Sequence, residues 1–278
     1  MHFELPMLGL YDSGIGGLLV LDQIKKQNPS LGITYLADNE HLPLGEKTLD
    51  EIQKIVQKGV EKLFGLGCNL VILACNTATV NTIRYLQQVW LPESKWAKNH
   101  KILGIGQPLL EILESRKYDL TKQNGIILAT PATYKSGFYQ SEVKQRGYNQ
   151  LFTLPCSGLA DVIETFDSEK ISNTLQNLFK KSKIKIETID YVVLACTHYA
   201  WTTEEILKSF PKKIEIIDSN QEIASKLVLY LQNHPEYQSQ NSDLKFYLTK
   251  ADLTHKYNQI LKEKFNLNNS FEFKSSTD

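Results

Sequence analysis

VILACNTATVNTIRYL, running from Val71 to Leu86, returns 121 residues later as VVLACTHYAWTTEEIL, from Val192 to Leu207. Each copy is a short apolar, β-branched run, then Ala-Cys, then a stretch with helical spacing of its apolar residues. A strand that feeds a helix through a cysteine, written twice, predicts two equivalent α/β units with one thiol each, Cys75 and Cys196. A matched pair of thiols suggests a matched pair of proton carriers. A thiol at a helix start faces unpaired backbone N–H groups and the positive end of the helix dipole, which favour the thiolate. On that argument each cysteine is expected to serve as a base near neutral pH. The bland reading is that free cysteine, among the most buried residue types, fills a core. The repeated polar setting weighs against it: Asn76, Thr77 and Thr197 place short hydrogen-bonding side chains where helix caps are expected and where a carboxylate could dock. His198, two residues past Cys196, is placed to tune it. Cys68 and Cys156 lack this setting and read as packing residues.

Working outward, short β runs alternate with amphipathic stretches: MLGLY, a helix from about Gly17, ITYLA, a helix from about Thr48, then LVILA. That order predicts parallel sheets with helices on both faces. A segment rich in Trp, Pro, Lys and Asn, from Leu91 to His100, marks a crossing, after which KILGIG opens a second series with GIILAT, LFTLP and DYVVLA. The expected division is one domain of residues 1–98 plus 210–278 carrying Cys75, and a second of residues 99–209 carrying Cys196. IEIID, a helix from about Ser219 and LKFYL complete the first, and the tail beyond Phe265 is expected to fray.

Composition narrows the partners. Lys plus Arg and Asp plus Glu both number 31, so the formal net charge is zero and no broad basic surface is available for nucleic acid or an anionic membrane. A small-molecule substrate is the simpler expectation. The four cysteines have neither disulfide-framework nor zinc-like spacing, and no apolar run reaches membrane-spanning length, so a cytoplasmic, reduced chain without metal is expected.

In parallel α/β sheets ligands sit at the carboxyl ends of strands, and the remaining polar clusters fall there. DSGIGG, from Asp12 to Gly17, follows the first strand; its glycines permit positive φ or close backbone approach, while Asp12 and Ser13 are suited to an ammonium group or a helix cap. A dinucleotide loop is the competing idea, but the third glycine of GxGxxG is missing. ATPATYKSG stands at the equivalent point of the second series, where Thr130 and Thr133 are candidates to bind a carboxylate or to build turns and caps.

The motifs DSGIGGL, PLGEKT, ACNTAT, TPATYKSGFY, ACTHYA, IDSN and FYLTKAD occur in the order found in the cofactor-independent glutamate racemases of the aspartate/glutamate racemase superfamily, and the chain resembles that family over most of residues 7–265. The resemblance implies two pseudo-symmetric α/β domains with the active site in the cleft between them, and an isomerase needing no cofactor. It implies that Cys75 and Cys196 are the acid/base thiols, assisted by Asp12, His198 and Glu164. Substrate would be held by Ser13, Asn76, Thr77, Thr130, Thr133, Thr197 and the turn Pro43, Leu44 and Gly45, and the product D-glutamate would feed peptidoglycan synthesis. The family often forms homodimers, which leaves a homodimer open here. His198 after Cys-Thr is similar to the glutamate enzymes, where aspartate racemases usually carry Glu. The chain departs from the family's usual pattern at Leu44 (usually Tyr), Gln107-Pro108 (usually Glu-Pro), Asn220 (usually Gly) and in Pro155-Cys156-Ser157 (usually Ala-Cys-Pro). Of these departures, Leu44 lies closest to the substrate side chain in the family's arrangement. Another acidic substrate, a decarboxylation, or a non-catalytic ligand-binding role are the alternatives; loss of one cysteine, the mark of the superfamily's decarboxylases, is absent. Asp38 and His41, beside the Pro43 turn, read as turn and surface residues.

Overall fold

Two all-parallel sheets organise the computed structural model, which describes residues 7–238 and 242–273. The first has six strands in the order β10-β9-β2-β1-β3-β4: β1 Met7–Asp12, β2 Ile33–Ala37, β3 Cys68–Leu73, β4 Lys101–Gly104, β9 Leu244–Leu248 and β10 Phe271–Phe273. The second has four, β6-β5-β7-β8, from β5 Gly125–Ala129, β6 Leu151–Pro155, β7 Tyr191–Ala195 and β8 Glu215–Ile217. Strands β2-β1-β3-β4 and β6-β5-β7-β8 share one order, in which the first strand is central and the third carries the cysteine at its end. That is the pseudo-symmetry written in the repeated motif.

Helices cover both faces of each sheet, which is why strands such as β1, β5 and β7 are buried along their whole length and lack polar alternation. On the first sheet, helices Gly17–Gln27 and Asn220–Asn233 supply Leu21, Ile24, Leu227 and Leu231 to one face, while helix Leu49–Gly65 supplies Val56, Val60 and Leu63 to the other. On the second, helix Ser168–Ser182 packs Leu175 and Phe179 on one side, and helices Gly106–Ser115 and Phe138–Gln145 pack Leu110, Leu113 and Tyr139 on the other. Each such side chain is worth about 1.5–3 kcal/mol of burial. Local chemistry agrees at the expected helix start: Thr48 Oγ1 accepts from Glu51 N at 3.4 Å while Glu51 Oε2 accepts from Thr48 N at 2.8 Å, a reciprocal cap.

Two strands change sides relative to the sequence reading. KILG, expected to open the second series, pairs with β3 at the edge of the first sheet, and IEI, expected to return to the first, pairs with β7 in the second. Each sheet thereby gains its fourth parallel strand before the chain crosses over, and the crossing falls after each fourth strand, not before it. The expected fraying after Phe265 is also corrected: Phe271–Phe273 pairs with β9, and Phe271 is buried against Tyr35, Phe246 and Tyr257.

Candidate active site

The carboxyl ends of β1, β2, β3, β5, β6 and β7, with the loops and helix starts that follow them, supply the candidate residues, so the fold gathers at one seam what the sequence scatters over 187 positions, from Asp12 to His198. Cys75 follows β3 and caps helix Asn76–Tyr85; its Sγ receives Ala78 N at 3.5 Å and lies 3.7 Å from Ser13 Oγ. Cys196 follows β7 in the equivalent place but precedes a 3-10 turn, Thr197–Thr202, and caps no backbone N–H. Both thiols are nearly closed off, 4% and 5% exposed.

Burial decides the state of Cys75. Loss of water, reinforced by the nearby Asp12 carboxylate and by Cys196, pushes its thiol up to about 12, although the Ala78 N–H and the Ser13 hydroxyl pull the other way. The helix-start argument, which predicts a ready thiolate, is outweighed here: the donor it invokes is present, but desolvation is the larger effect.

Cys196 has a different neighbour. Burial alone would lower the proton affinity of His198, but hydrogen bonds to Cys196 and to Glu164 outweigh it and raise the imidazolium well above its ordinary range. Glu164, which a sequence reading could equally leave as a solvated helix carboxylate, is buried and held from three directions. Its Oε1 accepts from His198 Nε2 at 2.7 Å and Ile15 N at 3.1 Å, and its Oε2 accepts from Tyr257 Oη at 3.0 Å. A buried carboxyl group with this many partners fixes the orientation of the imidazole.

Asp12 stands between the two halves. Its Oδ1 accepts from Gly14 N at 2.9 Å and its Oδ2 from Thr197 Oγ1 at 3.1 Å. Burial raises its carboxyl from 3.8 to about 6, against the pull of His198 and these two donors. The glycines of DSGIGG serve by close approach, since Gly14, Gly16 and Gly17 do not take positive φ. A Cβ on Gly14 would lie 2.2 Å from Glu164 Oε1, and one on Gly16 would lie 2.5 Å from Thr197 Oγ1 and 2.7 Å from His198 Nδ1.

On the Cys75 side, three hydroxyls from both sheets meet: Thr77 Oγ1 is 2.9 Å from Thr130 Oγ1 and 3.4 Å from Thr133 Oγ1, and the latter two are 3.0 Å apart. Thr130 is at once a helix cap, receiving Thr133 N at 3.2 Å, and a member of this cluster. The Pro43, Leu44 and Gly45 turn closes over it; Gly45 has no room for a Cβ, which would fall 2.4 Å from Thr130 Cβ. Leu44 is buried in the same apolar cluster as Cys75 and Ala132. The arrangement brings hydroxyl and amide donors from both sheets together beside Cys75, the kind of group that binds a carboxylate.

Sequence reasoning missed several supporting residues. Asp38, read as a surface turn residue, is buried and accepts from Tyr11 Oη at 2.8 Å and Thr249 Oγ1 at 2.9 Å, with His41 Nδ1 at 2.7 Å. Glu46, three residues after Pro43, accepts from Ser157 Oγ and Gly158 N, both at 2.9 Å, tying the turn after β2 to the loop after β6. Its place within PLGEKT was the available signal. Of the departures from the family pattern, Gln107, Pro108 and Asn220 lie in the first turns of helices Gly106–Ser115 and Asn220–Asn233. Among the described residues no helix is long and apolar enough to cross a membrane.

Comparison with known proteins matches the chain and its fold to a family. The profile of the Asp/Glu/Hydantoin racemase family matches residues 35–227. The glutamate racemase of Roseobacter denitrificans is 32% identical over 88% of this chain and 91% of its own length. Among solved structures, a glutamate racemase isoform from Bacillus anthracis superposes with a TM-score of 0.79 at 26% identity, over 97% of each chain. The glutamate racemase of Aquifex pyrophilus gives 0.72 at 27% identity, over 96% of this chain and 98% of its own. The chain belongs to the Asp/Glu/Hydantoin racemase family, on the side of its glutamate racemases.

Proposed function

We propose that this protein is a glutamate racemase, interconverting L- and D-glutamate by two thiols without a cofactor. The observation that carries the reading is the placement of Cys75 and Cys196 at the ends of equivalent strands, facing one seam, with Asp12, His198 and Glu164 beside them. Family membership supports it independently.

Inversion at Cα needs a base on one face and an acid on the other. In one direction Cys196, beside the His198 imidazolium, takes the Cα proton; the electron pair left on Cα takes a proton from the Cys75 thiol on the opposite face. The reverse direction exchanges the roles. The α-proton of an amino acid is a very weak acid, so the carbanion-like transition state must be stabilised. Preorganised donors around the carboxylates and the exclusion of water are the means available to this site. Ser13, Asn76, Thr77, Thr130, Thr133 and Thr197 hold the substrate, with the Leu44 and Gly45 backbone receiving the distal carboxylate. The two sheets act as two domains around this cleft. D-glutamate would supply peptidoglycan synthesis in the cytoplasm, and a homodimer is the assembly carried over from the family.

The test is to incubate the purified protein with L-glutamate and no added cofactor and follow optical rotation, which should decay toward zero. A persistent rotation would reject the assignment. Leu44, where the family usually has tyrosine, favours a second reading, a related acidic amino acid as substrate on the same mechanism. Relative kcat/KM values for glutamate and aspartate decide between them.

A further inference from the structure

Tyr139 is a fully buried phenol that the proposed mechanism does not use. It sits in helix Phe138–Gln145 of the second sheet's cover, in one apolar cluster with Ile127, Ala129, Tyr191 and Ala195. Phe138 packs edge-on against its ring, with centroids 5.0 Å apart and planes at 79°. The ring is therefore fixed by the second half of the molecule. Its hydroxyl, however, reaches across the seam and donates to Asn76 Oδ1 at 2.6 Å. Asn76 belongs to the other half, immediately after Cys75 in the helix that Cys75 caps.

An asparagine amide has one accepting end and one donating end, which a half-turn interchanges. A phenol has a single proton, and burial holds it on Tyr139 well above the neutral range, so at working pH this hydroxyl is a donor. Its proton selects Oδ1 and turns Nδ2 away as the donating end. We infer that Tyr139 is a positioning residue: it orients the Asn76 amide so that its N–H groups, not its carbonyl, meet a substrate carboxylate beside Cys75. Because the phenol comes from one half and the amide from the other, the donor is aligned only when the two halves are closed together. A carbonyl turned toward a carboxylate would oppose binding, so the orientation has a sign as well as a magnitude. The inference rests on the glutamate racemase reading for the identity of the carboxylate.

The test is Tyr139→Phe, which keeps the ring and its packing and removes only the hydroxyl. Losing an aligned hydrogen bond to a charged group should lower kcat/KM for glutamate about 10–100-fold. KM should rise at least as much as kcat falls, because the amide acts on bound substrate from the start. Asn76→Ala should lower kcat/KM by a similar factor, and the double variant should lie within about twofold of Asn76→Ala alone. A Tyr139→Phe enzyme within twofold of native, or effects that multiply in the double variant, would overturn the inference. The second result would mean the phenol matters only for joining the halves. Should the native protein fail to racemise glutamate, the functional reading falls, and the side-chain amide resonance of Asn76, assigned by its loss in Asn76→Ala, still decides the positioning. It should be single in the native protein and broadened or doubled in Tyr139→Phe, and an unchanged resonance would reject the role.

Discussion

Cys75 and Cys196 occupy the same position in the same motif, after the third strand of sheets with the same strand order, yet their surroundings are opposite in kind. Cys75 is met by weak, neutral partners, a backbone N–H at 3.5 Å and a hydroxyl at 3.7 Å, and burial leaves it firmly protonated. Cys196 is met by His198, itself locked to Glu164 at 2.7 Å. A duplicated strand–Cys–helix unit thus supplies symmetric geometry, while single neighbouring residues divide the proton chemistry. A racemase has use for that division, because at the start of each turnover one thiol must hold a proton and the other must not.

The comparison is broken most completely by removing either thiol. Cys75→Ala and Cys196→Ala should each lower kcat/KM in both directions by at least about 10³-fold, since each deletes the proton carrier proposed for one face and loss of a general acid or base costs about 10²–10⁴-fold. Far-ultraviolet circular dichroism should stay unchanged, because neither side chain bears a large share of the core. Near-native turnover by either variant in either direction would end the two-thiol mechanism.

The charged half is sharpened by Glu164→Gln. Removing one of the two partners that keep the proton on His198 should move the high-pH limb of the kcat/KM profile to lower pH and cut activity about 10-fold or more. Ser13→Ala, the corresponding change beside Cys75, removes a 3.7 Å contact to that thiol and one of the hydroxyls proposed to hold substrate, so it should raise KM without moving the high-pH limb of the kcat/KM profile. An equal shift of that limb in the two variants would show the halves to be chemically alike.

Asp12 links the halves and predicts a conflict between activity and stability. Its folded carboxyl is raised to about 6 from 3.8, so the folded chain binds a proton that the unfolded chain has released, and stability falls as pH rises from about 4 to about 6 and then levels off. Holding the ionised carboxylate in this buried place therefore costs roughly 3 kcal/mol above pH 6, and an asparagine would give up one of the two accepted hydrogen bonds at a cost of about 1 kcal/mol. Asp12→Asn should accordingly stabilise the protein by about 1–2 kcal/mol at pH 8, with the gain gone by pH 4, while activity drops sharply. Thermal melts across this pH range check the sign; a variant less stable at pH 8 than the native chain would refute it.

How far the sequence could be read follows the same division between local and distant causes. The strands, the Thr48 helix start and both cysteines were legible because each is written within a few consecutive residues. The sheet membership of β4 and β8 was not, since pairing depends on which neighbour a strand meets after a long excursion. The burial of Asp38, the three donors around Glu164 and the Tyr139 link to Asn76 all join residues 27 or more positions apart. The proton affinity of Cys75 shows the limit most plainly, because the helix start that favours a thiolate is local and the desolvation that defeats it is a property of the whole fold.

The smallest expected effect tests substrate choice. Leu44 is 1% exposed and sits with Cys75 and Ala132, so the position touches the packing around one thiol but adds no polar group to the site. If the Leu44 and Gly45 backbone receives the distal carboxylate, restoring the family's usual side chain by Leu44→Tyr changes the walls of the pocket and leaves its donors intact. Glutamate kcat/KM should then shift by less than about tenfold, and stability should fall by about 1–3 kcal/mol where the larger ring has to be accommodated. Discrimination against L-glutamine and L-alanine should remain strong in both proteins, because substrates without a distal carboxylate leave the site's donors buried and unpaired. Comparing kcat/KM for L-glutamate, L-aspartate, L-glutamine and L-alanine in native and variant protein separates the two. A native preference for aspartate or alanine would overturn glutamate as the substrate while leaving the unequal surroundings of the two thiols, and the inversion proposed for them, in place.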